Sequence, residues 1–519
     1  MKKFFQNSVS DFSASIVVLL VALPLCLGIA LGSGAPLFSG IIAGVIGGIV
    51  VGFASGSQLS VSGPAAGLTV IVATAIFKLQ VFEAFLLAVV IAGLLQIILG
   101  FIKAGVIGDY IPNSVIKGML AAIGLILILK QFPHLVGYDA DFAGDESFNQ
   151  GNNENTFSGI LSAVNFITPS AIVIGAVSLL ILICWEQKFM KTQPWLKGIP
   201  GPLVVVLAGT FINEAFKIYQ PGYALETKHL VALPIAASIG DFISFFTFPQ
   251  LQYLKSPDVW ITGITIAIVA SLETLLGLEA VDKLDPLKRV SPTNRELKAQ
   301  GIGNIVSGLL GGLPLTSVVV RSSANVNAGA KTKMSAILHG CFLLLCVAFI
   351  PFILNKIPLS ALAASLIFTG YKLAKVSLFK EFYQKGWDQF MPFVITIAAI
   401  LMTDLLKGII VGIGVGLFFM IRSNFRSSVF IVNDNNKYLF RLRKDVSFLN
   451  KPIVKKKLEE VPANAYVLID ATRADFIDKD VIEEINNFML HAHLKNIKTE
   501  IKKSEHKPFH LLFNNSTFN

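Results

Sequence analysis

The sequence predicts a polytopic α-helical membrane protein with a small soluble α/β domain at its C-terminal end. Three observations carry that reading. Hydrophobic residues make up 54% of the 519 and charged residues only 15%, with a mean hydropathy of +0.68. A soluble globular chain carries about 25% charged residues, so soluble, disordered and coiled-coil classes are excluded. Charge density then changes abruptly: 28 of the 94 residues from Arg426 to Asn519 are charged, against 48 of the preceding 425. That step separates a membrane domain, residues 1–425, from a soluble domain, residues 426–519. Finally, apolar segments long enough for membrane helices recur throughout the first part. Two of them are broken by Pro and Gly in matching places.

Candidate spans begin near Phe12, Leu37, Ser60, Phe82, Asn113, Ser170 and Pro202. A second set begins near Asp258, Leu297, Leu315, Ser335, Leu359, Asp388 and Lys407. The two groups of seven pair at an offset of about 250 residues, Phe12 with Asp258 and Phe82 with Ser335. Seven is odd, so the second group runs through the membrane upside down. The fold expected is therefore fourteen spans in a 7+7 inverted repeat, a common transporter plan. The first residues, MKKFFQNSVSD, lack the pattern of a cleaved signal, so the apolar run after them is taken as the first span.

Charge sets the orientation. Residues Gln131 to Gln187 contain no Lys or Arg but do contain Asp139, Asp141, Asp145, Glu146 and Glu154. The breaks at Lys188–Lys197, Asp282–Lys298, Lys331–Lys333 and Lys372–Lys385 are basic. Basic loops stay in the cytoplasm, so an even span count puts both termini inside and the acidic loop outside. The net charge of +10 has the same origin, and nucleic acid is not an expected partner. Cys26, Cys184, Cys341 and Cys346 all sit in apolar runs without metal-ligand spacing, and are expected as small core residues. No GxSxG, HExxH or P-loop is present and the seven histidines are scattered, so no enzyme, metal site or cofactor is expected.

The third segment of each group is unusual in the same way. It reads QLSVSGPAAGLTVIVATAI in the first and GGLPLTSVVVRSSANVNAGAK in the second. Irregular backbone at membrane depth is tolerated only when buried in protein or lining a cavity. Each break is read as an extended stretch followed by a half-helix, with the two helix N-termini facing one another. Their free N–H groups and positive dipole ends suit an anion. Ser62, Gly63, Pro64, Ala65 and Ala66 mark the first break; Thr316, Ser317 and Val318 mark the second. Small residues there let a ligand approach backbone, although membrane helices also use them for packing.

Three further residues are candidates. Glu273 lies about 15 residues into VWITGITIAIVASLETLLGLEAVDKL, where a carboxylate is costly and functional by default. Its alternative is a hydrogen-bonded lock between helices. Arg321 follows the second break; it either faces the anion, raises the potential of the cavity, or forms an internal ion pair. Pro24 sits midway in the first span and is expected to kink it, shaping the cavity wall or nothing more. Thr293–Glu296 fits a capping box that opens the ninth span.

At these residues the chain resembles the SulP family of inorganic anion transporters: sulfate permeases, bicarbonate transporters and prestin. The resemblance rests on ALPLCLGIALGSGAPLFSG, SVSGPAAG, SLETLLGLEAVDKLDP, NRELKAQGIGNIVSGLLGGLP and VVVRSSANVNAGAKTKMS. It implies a core domain of spans 1–4 and 8–11 moving like an elevator against a gate domain. The anion then sits between half-helices three and ten, beside Glu273. It also implies a homodimer in a bacterial-type inner (cytoplasmic) membrane. NAYVLIDATRADFIDKDVIEEINNFMLHAH resembles the family's STAS domain, with AYVLID a buried strand and DVIEEINNFML an amphipathic helix. Where some relatives carry Asp-Ser-Ser-Gly this chain has Asp478-Lys479-Asp480-Val481, without the hydroxyls that phosphorylation needs. The resemblance also implies a domain that stops short of its last helix.

The expected function is secondary transport of sulfate or bicarbonate. In sodium-dependent members the span-eight carboxylate is followed one turn later by a hydroxyl residue; here the pair is Glu273 and Gly277. A hard cation loses one oxygen there, so proton coupling fits at least as well as sodium. An anion channel or exchanger of the same fold, a nucleobase–cation symporter and a signalling receptor without flux are the rivals. Counter-ion-dependent saturable uptake separates them.

Overall fold

The computed structural model describes residues 8–141, 148, 150, 154–187, 190, 199–236, 238–504 and 506–513. Residues 1–7, Asp145, Glu146, Lys188, Lys191 and Lys197, used above for orientation, lie outside the described residues. By its contacts the chain divides into two compact units, Met1–Ile413 and Gly414–Asn519.

The first unit is helical. Helix α1 (Ser8–Gly32) leads into α2 (Leu37–Ile46), which continues through a π-turn at Gly47–Val51 to Gly52–Ala54. Strand β1 (Ser62–Pro64) and a 3₁₀ turn at Ala66–Leu68 precede α3 (Thr69–Leu79), then α4 (Phe82–Phe101) and α5 (Asn113–Leu135). Next come α6 (Thr156–Asn165), α7 (Pro169–Trp185), α8 (Gly201–Tyr219), α9 (Ile239–Ser244), α10 (Pro257–Leu284) and α11 (Thr293–Leu310). Strand β2 (Leu315–Ser317) and α12 (Val319–Asn327) follow, then α13 (Met334–Phe349), α14 (Leu359–Leu373), α15 (Val376–Gln384), α16 (Trp387–Met402) and α17 (Leu405–Ser428). Helices or broken segments start within a few residues of each expected position. Helices α6, α9 and α15 were not expected, because short polar-flanked helices carry too little periodicity to declare themselves.

Among the described residues seven helices are long and apolar enough to cross a membrane, or eight if the bent pair α6–α7 is one span. Their surroundings differ. In α1, 89% of the most apolar window is buried, so it is enclosed by protein; in α8 only 28% is, leaving Leu207 and Phe211 outward for lipid. Helices α4 and α11 touch backbone to backbone: a Cβ on Gly93 would lie 2.6 Å from the Gly301 carbonyl oxygen, and the reverse holds equally. Small residues are what allow such contact between membrane helices.

Two expectations are corrected. Only Cys26 of the four cysteines is buried; Cys184 is exposed on α7, since an apolar run in a membrane helix has an outward face as well as a core face. The capping box at Thr293–Glu296 does not form. Pro292 is the N-cap without a side-chain bond, and the fully buried Glu296 turns inward, accepting from Ser55 Oγ at 2.5 Å and Gln300 Nε2 at 3.0 Å.

The second unit begins inside α17 and holds a four-stranded sheet of order β3-β4-β5-β6: β3 (Val429–Asp434), β4 (Lys437–Val446), β5 (Tyr466–Ile477) and β6 (Lys498–Lys502). The first pair is antiparallel and the other two are parallel. Parallel pairs need crossover helices, supplied by α18 (Lys451–Glu459) and α19 (Lys479–His491). Val467, Ile469, Val481, Ile485 and Met489 form its core. Asp478 opens α19 as N-cap, its side chain accepting from the Asp480 N–H.

A buried clamp ties α5 to the chain after α8. Asp139 accepts from Nδ1 of His134, in the last turn of α5, and from Nδ1 of His229, both at 2.5 Å. Burial pushes this carboxyl up, but the two imidazole hydrogen bonds and their charge outweigh it and hold it below its ordinary value. A depressed carboxylate stabilises the fold above its unfolded-state pKa, and that contribution is lost as pH falls through the folded-state value. Asp139→Asn should therefore destabilise the purified protein at pH 7 by on the order of 1–3 kcal/mol. Apparent melting temperatures measured against pH should show the gap to wild type closing in strong acid.

Candidate functional site

The two broken segments meet. Strands β1 and β2 pair antiparallel, Ser62 with Ser317, Gly63 with Thr316 and Pro64 with Leu315. Three residues a side is too little for an isolated ladder to persist, and side chains extend it. Ser60 and Ser317 hydroxyls are 2.7 Å apart, the Val318 N–H donates to Val61 O, the Val61 N–H donates to Ser322 Oγ, and Asn325 Nδ2 donates to Leu59 O. All of these bonds join residues more than 250 positions apart, and they tie the second half-helix to the extended stretch of the first segment.

The pairing brings the openings of α3 and α12 to one small cavity that opens to the outside. Ala66 and Gly67 line it from the first; Ser317, Val318, Val319 and Val320 line it from the second. Ala65, in extended conformation, is the N-cap of the turn before α3, and Val318 is the N-cap of α12. Backbone N–H groups at a helix start have no partner within the helix, and they carry the positive end of its dipole. Helix α10 supplies Val269, Glu273, Leu276 and Gly277 as a third wall. The remaining side is apolar: Met119 and Ile123 from α5, and Leu405, Leu406 and Ile409 from α17.

Glu273 stands directly against the first opening, for a Cβ on Gly67 would come within 2.7 Å of its Oε1. Gly277, one turn on, is pressed against the carbonyl of Ser317, which occupies the space a side chain would need. Helix α10 therefore packs flush against β2 only with glycine there. A hydroxyl residue at that position has no room in this arrangement.

Of the residues singled out from sequence, Ala66, Glu273, Ser317 and Val318 line this cavity. Ser62, Gly63, Pro64 and Thr316 build the ladder behind it and Ala65 caps the turn that follows, all with little or no exposure. Arg321 is buried completely on the far side of the ladder: Nη2 donates to Cys26 Sγ at 3.2 Å, and its guanidinium packs against the Cα of Gly63. It is a fixed positive charge behind the strands rather than a lining residue. Pro24 lines a different cavity, with Leu27, Gly28, His134, Asp139 and Lys228. Among the described residues no group of three or more His, Cys, Asp or Glu is placed to hold a metal ion.

Sequence reasoning missed two sets. The apolar wall of Met119, Ile123, Leu405, Leu406 and Ile409 has no local signature, since any span offers such residues. Gln96, Glu296, Gln300 and Asn304 are fully buried polar residues on α4 and α11, and they hold the ladder from behind. The spacing of four between Glu296, Gln300 and Asn304, which puts them on one face of α11, was the available signal.

Comparison with known proteins agrees with this architecture. Residues 9–399 match the sulfate permease family. The bicarbonate transporter BicA of Picosynechococcus is 26% identical over 429 residues, which cover 80% of this chain and 70% of that one. The transmembrane domain of a cyanobacterial BicA superposes with a TM-score of 0.54 at 21% identity, covering 80% of this chain and 98% of that domain. The structure of SLC26A9 superposes over 97% of this chain and 86% of its own length, with a TM-score of 0.66 at 14% identity.

Filling the cavity tests the site. Ala66→Phe and Val318→Phe should each reduce anion uptake by at least ten-fold while membrane insertion and detergent-solubilised yield stay near wild type. Wild-type uptake by both would place the site elsewhere.

Proposed function

The chain belongs to the sulfate permease family, and on that premise we propose that it is a secondary transporter of small inorganic oxyanions, sulfate or bicarbonate. Members of this family transport and do not catalyse a chemical conversion. The family's description names sulfate and the BicA relative's name gives bicarbonate. The observation that carries the reading is the convergence of two half-helix openings and Glu273 on one cavity. Backbone N–H groups and positive dipole ends favour negative charge, and Arg321 behind the ladder adds to that potential. A planar neutral ring would find few fixed side-chain partners there, which counts against a nucleobase.

The finer reading follows the family plan. On that plan fourteen spans form a 7+7 inverted repeat, with spans 1–4 and 8–11 as a core that moves against the apolar wall of the gate. Such a wall suits sliding, because it offers no hydrogen bonds that must be broken. Both termini are cytoplasmic, in a bacterial-type inner membrane, and two copies form a homodimer. The sheet-bearing unit corresponds to the family's STAS domain.

The coupling ion is the proton, and Glu273 carries it. An arriving anion and an ionised Glu273 repel each other, so binding one favours protonation of the other; that is thermodynamic coupling. The absence of space at Gly277 supports a proton over sodium, since no second oxygen ligand from that position reaches the carboxylate.

Uptake by proteoliposomes, with sulfate and bicarbonate in competition, tests the substrate class. Glu273→Gln mimics the protonated state. It should still exchange anion but lose acceleration by an inward proton gradient, and Glu273→Ala should be slower still because it leaves a void. A Glu273→Gln protein that keeps the full pH-gradient response overturns the proton role.

A further inference from the structure

The ladder that presents both half-helix openings has an outer edge, and membrane-embedded backbone there must find partners within the protein. At Leu315 the partner is a side chain. The Leu315 N–H donates to Asn304 Oδ1 at 2.6 Å, and Asn304 Nδ2 donates back to the Leu315 carbonyl at 3.2 Å. One amide thus satisfies both backbone groups of one residue, as a neighbouring strand would. The position is apt, because Pro64 lies opposite Leu315 and has no N–H to offer.

The same helix grips the other strand one turn earlier. Gln300 Nε2 donates to Ser62 Oγ at 2.5 Å and to Glu296 Oε1 at 3.0 Å. Two acceptors on one amino group fix which way that amide points. Glu296 is itself held by Ser55 Oγ. From the other side Gln96 Oε1 accepts from Asn304 Nδ2 at 2.6 Å, while Gln96 Nε2 donates to Ser271 Oγ at 3.4 Å, two residues before Glu273. Glu296, Gln300, Asn304 and Gln96 are all fully buried. They link β1, β2 and α10, and none of the four is among the residues that line the cavity.

We infer that Asn304 and Gln300 are positioning residues for the anion: α11 serves as a side-chain third strand whose amides set the register of β1 and β2. The N–H groups that meet the anion lie only a few residues beyond Ser62 and Leu315. A shift of the ladder therefore moves both openings and Glu273 relative to one another. Loss of the amides should act on affinity more than on the amount of folded protein, because α11 keeps its close backbone contacts with α4 at Gly93, Gly301 and Gly308.

This inference rests on the anion reading above. Asn304→Leu and Gln300→Met preserve volume and remove the bonds; Asn304→Asp keeps Oδ1 to accept from the Leu315 N–H. In proteoliposomes the first two should raise the half-saturating anion concentration about ten-fold with maximal rate within two-fold of wild type. Asn304→Asp should recover at least half of that loss on a logarithmic scale. The anion concentration giving half of the maximal rise in melting temperature of the purified protein should move in parallel. Should Asn304→Leu not reach the membrane, Gln300→Met and Asn304→Asp carry the comparison. Variants whose melting temperature and maximal rate fall while both midpoints stay at the wild-type value overturn the assignment and leave a structural role. Wild-type protein inert toward both sulfate and bicarbonate overturns the anion reading itself, and this inference with it.

Discussion

Everything at the candidate site depends on six residues of extended backbone, Ser62–Pro64 paired with Leu315–Ser317. Within a membrane a helix satisfies its own backbone and a strand does not. Interrupting two spans is therefore costly unless each interruption completes the other. Here it does, and the openings of the two half-helices come to one cavity. The glycines and prolines that look like defects in the sequence are the residues that permit it. Gly277 lets α10 lie against the Ser317 carbonyl, and Gly67 gives the Glu273 carboxylate its place.

The charges are arranged in depth. Glu273 is at the cavity and Arg321 behind the ladder, bonded to Cys26. A cationic side chain in the cavity would bind an oxyanion more strongly but would also hold it, whereas a transporter must release what it binds. On the proposed reading, backbone donors and a set-back charge would attract an anion without forming a bidentate salt bridge. The wall opposite is hydrocarbon, from α5 and α17, and offers the ligand no competing partners.

Much of this was legible in the chain. Apolar length located the helices, because a helix in lipid needs a run of apolar residues whatever its neighbours are. Charge density steps up at Arg426, and by its contacts the chain divides at Gly414. Matching Pro and Gly breaks pointed to Ala66, Ser317 and Val318, and the cost of a buried carboxylate pointed to Glu273. These are signals that act locally or through composition, so a linear reading carries them.

Partnership was not legible. Sequence placed Arg321 beside the second break, and only the fold shows it behind the ladder against Gly63 and Cys26, because a helical residue's direction depends on what packs around it. Thr293 and Glu296 had the spacing of a capping box, but Glu296 found Ser55, 241 positions away, and buried itself there. Asp139 likewise reached His229, 90 positions on. The sequence by itself determined that this is a membrane protein, where its helices lie, which two are broken and which carboxylate is out of place. Tertiary structure alone decided which strand pairs with which, that α11 lends its amides to the ladder, and which side chains see the cavity. The reason is that burial and hydrogen bonding at this site are supplied across roughly half the length of the chain, where no local pattern reaches.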